Sequence, residues 1–224
     1  MKNFTSVLAF GDSHVAGAEL SAYTKEDYTR GTTPIEELDM PGKLLAFPQI
    51  VADHFDVPCY NYALSGGSNT RSMRLLPQAL KDHPNSLVLF GYTCTDRTEF
   101  YYPDDGFFRG RDQDNFLQVG TQWTDTNMNH VLNDMYIKML LRINNNLEQL
   151  AFYVESACKV HASDYVHIPL FPEQFPNIDN LIDLQGATCY LDWCSKQGFF
   201  TKPYRHYGQD AHAAFAKLII SQLK

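Results

Sequence analysis

The sequence has little of what membrane, disulfide-rich and nucleic-acid-binding proteins contain. None of its apolar runs reaches the roughly 18 to 20 residues that span a bilayer. Its five cysteines are scattered and form no CxxC pair, so the sequence indicates neither a disulfide framework nor a thiolate zinc site. The 18 basic residues are outnumbered by 26 acidic residues, and the net charge of -8 argues against general binding to nucleic-acid phosphates.

The N-terminal apolar run also lacks the small-residue cleavage site of a secretory signal peptide. This run ends in Gly-Asp-Ser, and its length suits a first β-strand. We therefore expect a cytoplasmic protein that has neither a membrane partner nor a nucleic-acid partner.

The sequence contains enough apolar residues to form a folded core. Hydrophobic residues make up 44% and aromatic residues 13% of the chain, which excludes the composition of a disordered protein. At 224 residues and without an internal repeat, a single domain over 1–224 is the simplest organisation.

Short apolar runs alternate with helical patterns along the chain, which is typical of a parallel sheet with helices on its faces. The predicted strands are 5–10, 58–63, 86–90 and 165–169. Apolar residues at three- and four-residue spacing over 132–154 and 215–223 predict two helices with one buried side. The predicted fold class is α/β, a three-layer α/β/α sandwich with a mostly parallel central sheet.

Two segments, 22–42 and 101–129, fit neither a strand nor a helix pattern. Loops of this length inside a compact domain are usually binding loops or lids, and we expect them to shape a cleft. The aromatic residues of the second segment could stack on a sugar ring or pack the loop onto the domain.

The first candidate for chemistry is Ser13, in the sequence Gly-Asp-Ser-His directly after the first strand. A serine at the carboxyl end of a parallel strand lies at the edge where open α/β sheets bind ligands. The N–H groups of the following helix favour a developing negative charge. The same tetrapeptide is also an ordinary turn with a helix cap. His14 enters that helix, and we expect its side chain to point away from Ser13.

Two further strand ends carry candidate groups for an oxyanion hole. The second strand runs into Ser65-Gly66-Gly67, where the absence of a side chain lets a backbone N–H approach a bound group closely. Neither GxGxxG nor a P-loop pattern is present, and a plain strand-to-helix turn is the alternative. The third strand ends in Gly91-Tyr92-Thr93, which offers the hydroxyl of Thr93.

Two histidines, His206 and His212, lie in the segment that leads into the last predicted helix. A histidine in a loop before a helix can reach a serine at the sheet edge and act as its general base. Either histidine could also be an ordinary surface residue.

Taken in order along the chain, these blocks resemble those of the SGNH (GDSL-like) hydrolases. Ser13 resembles the nucleophile of that family, Gly66 its oxyanion glycine and His206 its catalytic histidine. The spacing of His206 and His212 before the last helix also resembles SGNH-type proteins of tailed bacteriophages. The resemblance implies a flavodoxin-like sandwich and a serine esterase or deacetylase that needs no cofactor and no metal. It also implies a small-molecule or glycan ester as substrate and, as a second possibility, association with a virion.

Two departures from the family pattern affect the expected mechanism. The family supplies an asparagine amide where this sequence has Thr93, so we expect its hydroxyl to join the N–H groups of Ser13 and Gly66 in the oxyanion hole. The family also places an aspartate three residues before the histidine, where this sequence has Pro203. The expected machinery is therefore a Ser13–His206 dyad or an unconventional triad. The candidate acids are Asp192, Asp183 and Asp210.

Several assignments stay open at the level of sequence. His212 is the alternative base, but Asp210 is two residues away and would not face it on a helix, which favours His206. Weaker candidates for substrate binding are Asp12, Asn69 and Arg97. Arg97 could instead pair with Glu99 or Asp96.

Two other classes of protein also fit the pattern. A non-catalytic SGNH-fold protein would bind a glycan or another ligand without cleaving it. A flavodoxin-like module would bind a nucleotide or a flavin on the same kind of doubly wound sheet.

Overall fold

The structure, a computed structural model, describes most of the chain. The described residues are 4–18, 20, 35–95, 97–101, 116–120, 146–173, 175, 178–201 and 206–223. Among these residues, no helix combines the length and the apolar composition needed to cross a membrane.

Four parallel strands form the central sheet. They are β1 (Val7–Phe10), β2 (Cys59–Asn61), β3 (Leu87–Tyr92) and β6 (Asp164–Pro169). Their order is β2-β1-β3-β6, with Val7 of β1 paired to Cys59 on one side and to Leu87 on the other. The strand order reverses direction at β1, so the crevice for a ligand lies beyond the carboxyl ends of β1 and β3.

Two antiparallel strands, β4 (Arg97–Tyr101) and β5 (Phe116–Gly120), form a second, small sheet. Seven helices are described. They are α1 (Ser13–Ala16), α2 (Ile35–Lys43), α3 (Phe47–Phe55), α4 (Asn69–Asp82), α5 (Leu147–Val160), α6 (Tyr190–Lys196) and α7 (Gln209–Gln222).

The helices cover both faces of the central sheet because successive strand residues point to opposite faces. On one face, strand residues pack against α3, α6 and α7; this core includes Val7, Ala9, Leu87, Leu89, Phe47, Val51, Trp193 and Phe215. On the other face, strand residues pack against α4 and α5; this core includes Leu8, Phe10, Val88, Phe90, Leu76, Leu80, Leu150 and Val154. The predicted α/β fold class with three layers is confirmed.

The four predicted strands all overlap observed strands, and the last helix begins before its predicted apolar residues. The helix predicted over 132–154 is described from Leu147 onward, where the Asn146 side chain accepts hydrogen bonds from the first-turn N–H groups of Glu148 and Gln149. The earlier part of that prediction lies outside the described residues.

The two predicted long loops both need correction. Part of 22–42 is helix α2, although Pro41 and Gly42 lie in its last turn. Tertiary contact explains this helix: a Cβ added to Gly42 would collide with the carbonyl oxygen of Gly17, so the two backbones meet where only glycine fits. Part of 101–129 is strand β5, which forms because it pairs with β4. The remaining residues of both segments lie outside the described part.

Candidate active site

The first candidate residue, Ser13, begins the one-turn helix α1 at the carboxyl end of β1. The Asp12 side chain caps this helix and accepts a hydrogen bond of 3.0 Å from the backbone N–H of His14. The helix ends at Gly17, whose φ of 72° is left-handed. Ser13 is therefore held at the crevice between β1 and β3, with the N–H groups of a helix start beside it.

His206 is the second candidate, and it lies 193 positions further along the chain than Ser13. Its Nε2 is 2.8 Å from the hydroxyl oxygen of Ser13. The segment that carries His206 is anchored by a backbone bridge between Thr201 and Tyr207. A neutral imidazole with an unprotonated Nε2 at this distance can accept the serine proton as a general base.

His14 does not point away from this pair. Its ring centroid lies 4.9 Å from that of His206, and the rings of Phe171 and Tyr190 enclose it at 5.5 and 5.8 Å. Burial lowers the pKa of His14 to about 4; the carboxylate of Asp12 opposes the shift, and His206 reinforces it. At neutral pH, His14 is therefore an uncharged ring packed against the candidate base.

Asp12, considered above for substrate binding, is fully buried and bound within the protein. Its carboxylate accepts hydrogen bonds from the Arg97 guanidinium at 2.8 Å and from the Thr93 hydroxyl at 3.2 Å. Burial on its own would raise the pKa of Asp12. The interactions with His14 and Arg97 and the hydrogen bond from the His14 N–H have a larger effect in the opposite direction, so the pKa of Asp12 is lowered. Because His14 is neutral at pH 7, Arg97 is the charge that keeps Asp12 ionised there.

Thr93 does not match its expected role in the oxyanion hole. Its hydroxyl donates to Asp12 and accepts a hydrogen bond of 2.9 Å from Arg97, so its proton is already engaged in the network. Its backbone is engaged too, because the Asn69 amide donates to the Thr93 carbonyl at 3.0 Å and accepts from its N–H at 2.9 Å. Asn69 is fully buried, and it joins the end of β3 to the start of α4 rather than facing a substrate.

Arg97 is likewise placed differently from both sequence-based expectations. Its side chain is buried with Asp12 and lies over the Phe171 ring, 5.4 Å from the ring centroid. Glu99 instead forms a two-pronged ion pair with Arg74, at 2.8 and 3.1 Å. Asp96 lies outside the described residues. The partner of Arg97 could not be read from its neighbours in sequence because Asp12 is 85 positions away.

Gly66, the expected backbone donor, lies in a tight turn next to Gly11, two residues before Ser13. Its φ of 79° is left-handed, and the Gly67 N–H donates to the Leu64 carbonyl at 2.7 Å, which together describe a type II turn. The turn is attached to residues 11–17, which we call the nucleophile segment, since the Leu64 N–H donates to the carbonyl of Gly11 at 3.3 Å. The backbone of this turn therefore runs next to the residues that carry Ser13.

None of the three predicted acids is hydrogen-bonded to His206 in the described part of the chain. Asp192 accepts from the Thr188 N–H at 2.9 Å and pairs with Lys196 at 3.0 Å. Asp183 accepts from the backbone N–H of Gln185, and Asp210 is exposed in the first turn of α7. Pro203 lies outside the described residues. The structure does place Nε2 of His206 against the hydroxyl of Ser13.

His212, the alternative base, is buried in the core under α3. Its Nδ1 accepts a hydrogen bond of 3.2 Å from the backbone N–H of Phe47, and its ring stacks on the Phe47 ring at 5.8 Å. Phe47 is the first residue of α3, and the preceding Ala46 provides no side-chain cap. His212 therefore satisfies one of the first N–H groups of that helix, which explains its presence without a catalytic role.

The described residues contain no cluster of three or more His, Cys, Asp or Glu side chains placed to hold a metal ion. The five cysteines are all free thiols, and burial raises the pKa of Cys59, Cys158 and Cys194 to about 12. These thiols are therefore uncharged at neutral pH and behave as core residues.

Buried histidines make the stability of the fold depend on pH. Burial lowers the pKa of His14 and of His167 to about 4 from an ordinary value of 6.5. Below pH 6.5 the unfolded chain binds protons on both residues, whereas the folded chain does not until about pH 4, so stability falls as the pH decreases through this window. Between pH 6.5 and 5, protonation of each of these two histidines in the unfolded chain is expected to lower the free energy of unfolding by about 2 kcal/mol.

Urea unfolding at pH 7 and pH 5 measures this effect. In His167→Asn, about half of the pH-dependent loss is expected to disappear, because asparagine can still bond to the Tyr92 hydroxyl that lies 2.8 Å from Nδ1 of His167. The matched control is His54→Gln, at an exposed position of α3. Equal free energies of unfolding at both pH values in the wild type would contradict the prediction.

The fold and the site together define an α/β protein with a doubly wound parallel sheet and a serine–histidine pair at its switch point. Several solved structures are similar to this chain, including the following two. One is a carbohydrate esterase whose active site displays divergent catalytic and non-catalytic binding functions. It has a TM-score of 0.47 and 15% identity, over 98% of this chain and 68% of that chain. The other is phospholipase A1 from Streptomyces albidoflavus NA297, with a TM-score of 0.44 and 11% identity over 98% of this chain and all of that chain.

No protein-family model matches the sequence, and no curated protein is significantly similar to it. Structural similarity at this level of identity assigns no activity to the chain. The assignment depends on the side chains around Ser13.

Proposed function

We propose that this protein is a serine hydrolase that cleaves ester or O-acetyl bonds through Ser13 and His206. The observation that supports this proposal is the 2.8 Å contact between the Ser13 hydroxyl and Nε2 of His206. The contact lies where open α/β sheets place their ligands, beyond the carboxyl ends of β1 and β3. Asp12, Thr93 and Arg97, which lie at the same sheet edge, are hydrogen-bonded to one another.

The reaction proceeds in two halves. Ser13 Oγ attacks the carbonyl carbon while its proton passes to Nε2 of His206, and the carbonyl oxygen becomes an oxyanion. Backbone N–H groups of Ser13 and Gly66 stabilise this oxyanion. The intermediate collapses, the C–O bond to the alcohol breaks, and the alcohol leaves with the proton from His206. Water then attacks the acyl group with His206 as base, which releases the acid and restores Ser13.

The uncharged state of His14 suits this cycle. His206 becomes an imidazolium when it takes the serine proton, and a second positive ring at 4.9 Å would oppose that change. Because burial keeps the pKa of His14 near 4, the His14 ring is uncharged at neutral pH. It packs against the His206 ring without repelling the positive charge that His206 acquires. The buried carboxylate of Asp12 interacts favourably with a protonated His206.

The substrate class we favour is an O-acetylated glycan, for which the resemblance to the SGNH hydrolases is the main support. A small-molecule ester is the alternative within the same chemistry. Neither requires a cofactor in the mechanism described above.

The test is hydrolysis of p-nitrophenyl acetate and butyrate, together with acetate release from acetylated xylan. Each assay compares the wild type with Ser13→Ala. A fluorophosphonate probe, which labels activated serines, adds a readout that does not depend on the substrate. The matched control is Ser195→Ala, at an exposed position of α6.

We expect the wild type and Ser195→Ala to hydrolyse at least one of these substrates and to be labelled at Ser13. Ser13→Ala is expected to lose both properties. A folded wild type that releases no product and takes up no probe would contradict the proposal and favour a ligand-binding protein of the same fold.

A further inference from the structure

A fully buried carboxylate outside the Ser13–His206 pair contacts the turn that carries Gly66. Asp39 lies in α2 and has no exposed surface. One of its oxygens accepts a hydrogen bond of 2.6 Å from the backbone N–H of Ser65, and the other accepts one of 2.7 Å from the Ser65 hydroxyl. Because both oxygens accept, Asp39 acts as a carboxylate in these two bonds.

Ser65 is the residue that determines where the Gly66 N–H points. In a type II turn, the peptide between the two central residues is turned over relative to a type I turn, so its N–H faces the opposite side. Here that peptide joins Ser65 to Gly66. The Leu64–Gly67 hydrogen bond closes the turn, and Asp39 fixes the Ser65 backbone and side chain from outside it.

Asp39 is itself held in a defined place relative to Ser13. Gly42 lies three residues after Asp39, one turn along α2, and its backbone touches that of Gly17, the residue that ends α1. Helix α2 therefore contacts the nucleophile segment at one point and the Gly66 turn at another. This links the two backbone segments that are proposed to supply the oxyanion donors.

We propose that Asp39 is a positioning residue for the oxyanion hole: by binding the N–H and hydroxyl of Ser65, it aims the Gly66 N–H at the reacting carbonyl. This inference depends on the proposed hydrolase function. An aimed donor acts on the transition state more than on the bound ester, because the negative charge develops only there. Loss of Asp39 therefore lowers kcat and leaves KM nearly unchanged.

The experiment compares Asp39→Ala and Asp39→Asn in ester hydrolysis and in the rate of fluorophosphonate labelling. Loss of a whole oxyanion donor typically costs about 100- to 1000-fold in kcat, and misdirection of one donor is expected to cost about 10- to 100-fold. In Asp39→Asn the amide oxygen still accepts from the Ser65 N–H, so kcat should return to within about fivefold of the wild type. The matched control is Asp53→Asn, an exposed carboxylate of α3 that bonds to Gln49.

The results expected for Asp39→Ala distinguish a positioning role from a purely structural one. In Asp39→Ala, kcat and the labelling rate fall together, KM stays within about threefold, and the pH midpoint of kcat/KM is unchanged because His206 is untouched. A folded Asp39→Ala with wild-type kcat overturns the inference, as does a loss of kcat that Asp39→Asn fails to restore.

If Asp39→Ala does not fold, Ser65→Ala takes its place, since it removes only the hydroxyl contact. It is then expected to lower kcat by about 2- to 10-fold, and an unchanged kcat overturns the inference. A wild type that neither hydrolyses esters nor takes up the probe overturns the proposed function, and the inference with it. An active wild type beside an equally active Asp39→Ala overturns the inference alone.

Discussion

Replacement of His206 by glutamine is expected to lower kcat for ester hydrolysis by about 100- to 10,000-fold, which is the range of a general base. Glutamine keeps a polar side chain near Ser13 but cannot take its proton. The circular dichroism spectrum and the melting temperature of His206→Gln should stay close to those of the wild type, because His206 is only partly buried. Steady-state kinetics on p-nitrophenyl esters measures the loss.

The control for this prediction is His212→Asn. Asparagine can accept the Phe47 N–H as Nδ1 of His212 does, although it loses the stacked ring. We expect kcat within about threefold of the wild type and a lower melting temperature, since large buried side chains contribute to stability when packed. The opposite pattern, with kcat lost in His212→Asn and kept in His206→Gln, would assign the base to His212.

The sequence was sufficient to predict the elements that position the candidate site. The strands ending before Ser13, Gly66 and Thr93 were located because apolar runs followed by small or polar residues have a strong local signature. These strand positions use only the residue types and their order along the chain. The pairing of Ser13 with His206 instead came from the resemblance of the ordered blocks to the SGNH hydrolases.

Side-chain partners could not be predicted in the same way because they depend on packing between distant segments. Arg97 has two acidic neighbours in sequence, yet its partner in the structure is Asp12. The Thr93 hydroxyl was expected to face a substrate, but it completes that ion pair. The partner of a charged side chain depends on which groups are buried with it. A buried charge is much less stable without a counter-charge than an exposed charge is, because water solvates the exposed one.

Two further residues of the site had no usable signal in the sequence. Asp39 lies in a segment with Pro41 and Gly42, which favours a loop by local preference, and only the contact with Gly17 shows why a helix forms there. His14 was expected to diverge from Ser13, but α1 is a single turn and its side chain is buried against Phe171 and Tyr190.

The Asp12–Arg97 pair is expected to be a major contributor to the stability of the nucleophile segment. Its N–O distance is 2.8 Å, and the two side chains are 0% and 8% exposed. Removal of one partner leaves the other charge in the interior without the counter-charge of the wild type, which typically costs about 3 to 5 kcal/mol. Asp12→Asn and Arg97→Met are each expected to lower the free energy of unfolding by this amount.

A double-mutant cycle separates the ion pair from other effects of the two substitutions. The variant with both changes should be more stable than the sum of the single losses predicts, because it buries no lone charge. The matched control is Arg74→Met, which breaks the Arg74–Glu99 pair; Arg74 is 24% exposed, so the expected loss is smaller. Additive losses in the cycle would contradict a coupled pair.

The same variants test whether this pair also orients the nucleophile. Asp12 caps the helix that begins with Ser13, and asparagine is an equally good cap, so Asp12→Asn keeps the hydrogen bond to the His14 N–H. If the pair acts only on stability, kcat measured well below the melting temperature stays near the wild-type value in the double variant. If Arg97 holds Asp12, and through it Ser13, at the angle needed for attack, kcat falls in Arg97→Met even where that variant is fully folded. Labelling by the fluorophosphonate probe would slow in parallel, because it requires the same attack by Ser13.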